Sequence, residues 1–113
     1  MTRLIWLACI VATLTMVVGP VYSTDQPPEI GLTIENHRFS PEEFKVKAGS
    51  PFVLVITNKD KTPEEFESRE LRIEKIIPAG KTLRLRMPAL KPGIYGFVGE
   101  YNEQTAKGRI IVE

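Results

Sequence analysis

Four carboxylates fall within seven residues in Glu64-Glu65-Phe66-Glu67-Ser68-Arg69-Glu70, and Glu74 and Glu100 follow further on. Oxygen donors grouped in this way suit hard or borderline cations, and an added Met or His shifts the preference toward iron or copper. If the segment is extended, successive side chains alternate, so Glu65 and Glu67 share one face while Phe66 and Ser68 share the other. Phe66 is then a core residue, and the two glutamates point outward or sit on a rim. The plainer reading of the same run is a solvated face whose charge is answered by Arg69, Arg72 and Lys75. Met87 closes an alternating run on its apolar side, where it either fills the core or offers a soft donor at the end of the domain. His37, the one histidine, stands between Asn36 and Arg38 without a motif and reads as a turn or surface residue.

These side chains need a scaffold, and the pattern from Glu29 onward describes one. Short apolar-rich runs at 30–35, 43–47, 52–57, 65–68, 71–76, 82–87, 93–101 and 108–112 are broken by turn residues. A break about every 8 to 12 positions is the spacing of an all-β sandwich or barrel. Ala48-Gly49-Ser50-Pro51, Asn58-Lys59-Asp60-Lys61, Pro78-Ala79-Gly80-Lys81 and Lys91-Pro92-Gly93 supply the turns. Leu83-Arg84-Leu85-Arg86-Met87 alternates cleanly, as do Phe44-Lys45-Val46-Lys47 and Leu71-Arg72-Ile73-Glu74, giving one buried and one wet face. Phe52-Val53-Leu54-Val55-Ile56 is apolar on both faces and is expected to be central. Residues 63–71 could form a helical turn, but a strand is the better reading. The sequence therefore predicts an all-β Greek-key sandwich of seven or eight strands over residues 29–113. Its expected core contains Phe44, Val46, Leu54, Ile56, Phe66, Ile73, Leu83, Leu85, Tyr95, Phe97 and Ile111.

The first residues follow a different logic. After Arg3, residues 4–18 carry no charge, and Gly19-Pro20-Val21-Tyr22-Ser23 follows. A basic start, an apolar run and small residues before a polar stretch describe a secretory signal peptide over residues 1–23, with Val21 at the −3 position. Fifteen residues fall short of the roughly 20 that a membrane span needs. Cys9 lies within the apolar run and lacks the spacing of a lipidation site, so no lipid anchor is expected. Residues 24–28 form a polar, proline-rich tether.

Removal of the leader leaves 90 residues with 14 basic and 14 acidic groups and no cysteine. That excludes a disulfide framework, a thiolate metal site and a cysteine nucleophile. Balanced charge without an Arg/Lys cluster excludes nucleic acid as an expected partner. No nucleophile–base pair is visible, so catalysis without a metal is the weakest reading.

Several segments, read in order, resemble the cupredoxins, and in particular the EfeO-type cupredoxin-like proteins. Phe39-Ser40-Pro41-Glu42-Glu43-Phe44-Lys45-Val46-Lys47-Ala48-Gly49 is similar to the family's opening segment, and an apolar strand ending in Asn58 follows it. Pro92-Gly93-Ile94-Tyr95-Gly96-Phe97 resembles its P-G-x-Y-x-F strand, and Gly108-Arg109-Ile110-Ile111-Val112 resembles its last strand. The stretches 65–75, 99–101 and 105–108 look like a subgroup found with bacterial high-affinity iron permeases. In the family at large, one His ligand stands near positions 63–66, and a Cys, a second His and often a Met lie on the loop after the P-G-x-Y-x-F strand. Here Glu64 or Glu65 stands near the first place, Gly99 near the Cys, and Asn102 where a His is usual.

The resemblance implies a periplasmic accessory of iron or copper acquisition. It would bind iron or copper weakly through Glu65, Glu67, Glu100 and Met87, with no type 1 copper centre, beside inner-membrane iron permease components. Assistance of ferrous iron oxidation is implied by resemblance only. The alternative is a metal-free β-sandwich that binds another protein through its glutamate patch.

Overall fold

The computed structural model describes Thr2, residues 12–20 and residues 26–113. Cys9 and the expected cleavage positions Val21 and Ser23 lie outside the described residues. Among the described residues, no helix is long and apolar enough to cross a membrane.

Among the described residues, nine strands form in chain order: β1 Glu29–Glu35, β2 Arg38–Ser40, β3 Glu43–Val46, β4 Phe52–Asn58, β5 Glu64–Ser68, β6 Ile73–Ile77, β7 Thr82–Met87, β8 Gly93–Gly99 and β9 Lys107–Val112. They make a sandwich of a four-stranded sheet, ordered β2-β1-β4-β7, and a five-stranded sheet, ordered β3-β9-β8-β5-β6. The all-β sandwich is as expected; β2 is the strand that sequence did not anticipate. β1 with β4 and β3 with β9 pair in parallel, so the sandwich is not wholly antiparallel. β4 is central in its sheet, and it buries Phe52, Leu54, Ile56 and Asn58 while its alternate residues are half-buried.

The alternation explains the core. Leu32, Ile34, Leu54 and Ile56 from one sheet meet Phe66, Ile77, Phe97 and Ile110 from the other, all nearly or wholly removed from water. Phe39 and Phe97 meet edge to face with centroids 5.0 Å apart, and Phe66 packs on Phe97 at 5.3 Å. Phe44, Ile73, Leu83, Leu85 and Tyr95 pack against this centre but stay partly exposed. The expected core is corrected at one position. Ile110 is inward and Ile111 half-exposed, because Tyr95 on β8 is inward and pairs with Ile110.

Two turns depart from plain strand geometry. Asn36 and His37 both take positive φ, 52° and 57°, the conformation of a two-residue hairpin turn between β1 and β2. The Asp60 carboxylate accepts both of their backbone N–H groups. Residues 69–72 form the turn between β5 and β6, with Arg72 at φ 56°, so Leu71 and Arg72 belong to a turn and not to the expected alternating strand. Asn58 ends β4 inside the sandwich, and its amide donates to the Thr62 and Ile77 carbonyls. That side chain ties the two sheets together at the end where β5 begins.

Candidate metal centre

β5 enters the five-stranded sheet beside β8, with Phe66 opposite Gly99. Phe66 points into the core, so Glu64 and Ser68 point inward with it and Glu65 and Glu67 point outward. The β5–β6 hairpin places Glu67 opposite Glu74 and Glu65 opposite Ile76. β8 ends at Gly99, and residues Glu100–Asn102 turn into a single 3-10 turn where an extended chain through residue 101 was expected.

This geometry assembles three carboxylates. Glu65, Glu74 and Glu100 each offer an oxygen, and the three oxygens lie within 4.8 Å of one another. The Glu100 carboxyl is pushed up to about 7, first by its hydrogen bond with Glu65 and then by that group's negative charge. The charges of Glu67 and Glu74 act in the same direction. The neighbouring Tyr101 phenol is also raised, by partial desolvation and by the charge of Glu65. Carboxylates crowded in this way mark a place where positive charge is stabilising.

Of the four residues singled out in the sequence, Glu65 and Glu100 are brought together. Glu67 lies alongside but is largely buried, and Arg69 Nε stands 3.6 Å from its Oε1. Met87 does not join them. It is buried opposite Phe52, at the far end of β7 from Thr82, which pairs beside the Asn58 end of the sandwich. Glu74 was not singled out as a ligand, although the register shows it. Closing β5 on β6 across a four-residue turn sets Glu74 on the outward face beside Glu67.

Glu64 is the less expected residue. It is only 2% exposed, yet its carboxylate is fully engaged. Oε1 accepts the backbone N–H groups of Glu65 at 2.9 Å and Tyr101 at 3.0 Å. Oε2 accepts from Asn102 Nδ2 at 2.7 Å. Inward placement of Phe66 two residues on was the available signal for its burial. Gly99 completes the arrangement, since a Cβ added there would lie 2.6 Å from Glu64 Cδ and 2.7 Å from Ala106 Cβ. His37 sits exposed in its turn, with Nδ1 3.6 Å from Asp60 Oδ2.

Comparison with known proteins agrees with the fold. The chain matches the model of the cupredoxin-like domain family over residues 4–112. It is 36% identical over 115 residues to an uncharacterized protein of Rickettsia prowazekii (strain Madrid E), covering 97% of this chain and 92% of that one. Auracyanin A, a blue copper protein from Chloroflexus aurantiacus, superposes with a TM-score of 0.64 at 14% identity, covering 78% of this chain and 100% of that one. The metal-binding domain of the Cu(I)-exporting P-type ATPase of Streptococcus pneumoniae, solved with Cu(I), superposes with a TM-score of 0.67 at 18% identity. That match covers 75% of this chain and 84% of that one. At these identities the two structures show a shared fold.

A blue-copper ligand set does not fit the residues present. Gly99 has neither a side chain nor room for one, Asn102 spends its amide on Glu64, and the single cysteine of the sequence is Cys9.

Proposed function

The chain belongs to the cupredoxin-like domain family, and from that premise we propose that it is an exported accessory of iron or copper acquisition that holds its cation in an open carboxylate cluster. The observation that carries this is the convergence of Glu65, Glu74 and Glu100 within 4.8 Å. Like charges brought this close repel one another, with solvent screening part of the repulsion. A divalent cation removes that repulsion, and oxygen donors suit iron in preference to a soft metal. Metal handling has precedent on this fold: auracyanin A is a blue copper protein, and the ATPase domain was solved with Cu(I). Glu74 and Glu100 are exposed, so a bound cation keeps water ligands and exchanges readily. Weak, exchangeable binding suits an accessory that passes its ion on. The leader-like start supports a periplasmic location, and resemblance to the permease-associated subgroup supports an inner-membrane iron permease as recipient.

A second reading is a metal-free protein-binding module. Ile76 and Tyr101, 57% and 51% exposed, favour it, since each lies next to a glutamate of the cluster. Apolar groups beside charged ones are ordinary features of a protein-binding patch.

Thermal melts separate the two readings. Protein expressed from the full-length chain is melted with Mn(II), Fe(II) under argon and Cu(II), each against Mg(II) at matched ionic strength. Cation binding raises the melting temperature by mass action, and Glu65→Gln/Glu100→Gln abolishes the rise. The pH dependence follows from Glu100. Its folded value of about 7 lies above the ordinary 4.5, so its protonated form stabilises the fold. That contribution is complete below 4.5 and is lost as the pH rises through 7. Metal-free wild type therefore loses stability over this interval relative to Glu100→Gln, and the cation shift grows over the same interval as the proton leaves. Equal melts with every cation would leave the protein-binding reading in front.

A further inference from the structure

We infer that Glu64 is the positioning residue of the carboxylate cluster, one buried oxygen fixing the distance between the strand that carries Glu65 and the turn that carries Glu100. The inference rests on the proposed cation binding and extends it to a residue that touches no cation. Glu65 and Glu100 stand on separate elements, and once both are ionised their like charges push them apart. Their backbones, however, meet on a single atom: Glu64 Oε1 accepts the N–H of Glu65 and the N–H of Tyr101.

The geometry suits that task. Tyr101 N–H is an early donor of the Glu100–Asn102 turn, and such donors have no partner within the turn itself. Gly99 at the cap position provides no side-chain hydrogen bond, so the cap comes from β5 through Glu64. Oε2 secures the other end of the same turn through Asn102 Nδ2. Behind it, Gly99 N–H donates to the Ala106 carbonyl and Ala106 N–H to the Asn102 carbonyl, which holds the loop against the sheet. Gly99 lets the turn come this close, since any Cβ would strike the Glu64 carboxyl. Hydrogen bonds to a carboxylate are short and about twice as strong as neutral ones, and here three of them converge on one buried side chain. The cluster therefore takes its spacing from Glu64, a residue facing the opposite side of β5 from Glu65.

The test uses protein from the full-length chain and Mn(II) as probe, with free Mn(II) read by electron paramagnetic resonance and amide exchange read by NMR. Glu64→Ala is expected to weaken Mn(II) binding about 10- to 100-fold, the usual effect of removing a group that orients ligands. The same substitution raises exchange at Glu65 and Tyr101 together. Glu64→Gln rescues binding to within about threefold, because its amide oxygen accepts the same two N–H groups and Asn102 can reverse its carboxamide. If Glu64→Ala binds Mn(II) like wild type while Glu65→Gln/Glu100→Gln does not, the positioning role is overturned and the cluster stands. If wild type binds no Mn(II), the cation reading fails, and exchange alone decides the positioning role. Should Glu64→Ala fail to fold, native-state exchange of wild type decides. Protection of the Tyr101 amide is expected, because it donates to an oxygen of a buried side chain on β5, and exchange of that amide at the rate of an open turn overturns the inference.

Discussion

Phe66→Ala removes about 3–5 kcal/mol of unfolding free energy, the cost of deleting a fully buried aromatic ring and leaving a void. The ring has no exposure, packs on Phe97 at 5.3 Å and meets Phe39 edge to face at 6.1 Å. It also sits between Glu65 and Glu67 on β5, so its loss reaches the carboxylate cluster through the strand itself. Urea denaturation gives the number, provided the dependence on denaturant is unchanged and the transition remains two-state. A loss under about 1 kcal/mol would mean that the three rings do not form the packed centre that the sandwich requires.

Gly99→Cys is the second substitution with a large expected effect, and its outcome is a loss of stability without the gain of a colour. It introduces a thiol at the position that the resemblance sets near the family's Cys. The new Cβ would stand 2.6 Å from Glu64 Cδ and 2.7 Å from Ala106 Cβ, well inside contact distance. Forcing extra atoms into a packed site costs about 1–3 kcal/mol, and here it also displaces the carboxylate that caps the 3-10 turn. The expected protein melts earlier than wild type and shows no strong band near 600 nm with Cu(II), about where a copper–thiolate bond absorbs. A stable blue protein would reveal room beside Gly99 that the structure does not have.

Much of the architecture could be read along the chain because alternation is a local signal. Leu83, Leu85 and Met87 declared their faces without knowledge of any partner, and so did Phe44 and Val46. Where the residues do not alternate, the signal disappears. Ile110-Ile111-Val112 is apolar at every position, so its inward parity comes from β8, where Tyr95 pairs with Ile110. β2 is three residues long, between the Asn36-His37 turn and Ser40-Pro41, and too short to show a period. The site divides in the same way. Outward placement of Glu65 and Glu67 follows from Phe66, and Glu100 is named from the sequence, but Glu74 enters only through the hairpin register. Met87 shared the right chemistry and lies in the wrong place, since strand position fixes distance and residue type does not. Glu64 was masked by its neighbours: four glutamates in seven residues look like one charged face, while pairwise alternation sends the first of them inward.

The most direct measurement is an anomalous-difference map from crystals soaked in Mn(II) at pH 8. At that pH Glu100, raised to about 7, has released its proton. The expected map has one peak outside the five-stranded sheet, with carboxylate oxygens of Glu65, Glu74 and Glu100 about 2.0–2.6 Å away. A peak inside the sandwich between Glu64, Gly99 and Asn102, or none at the three glutamates, would contradict cation binding at this cluster.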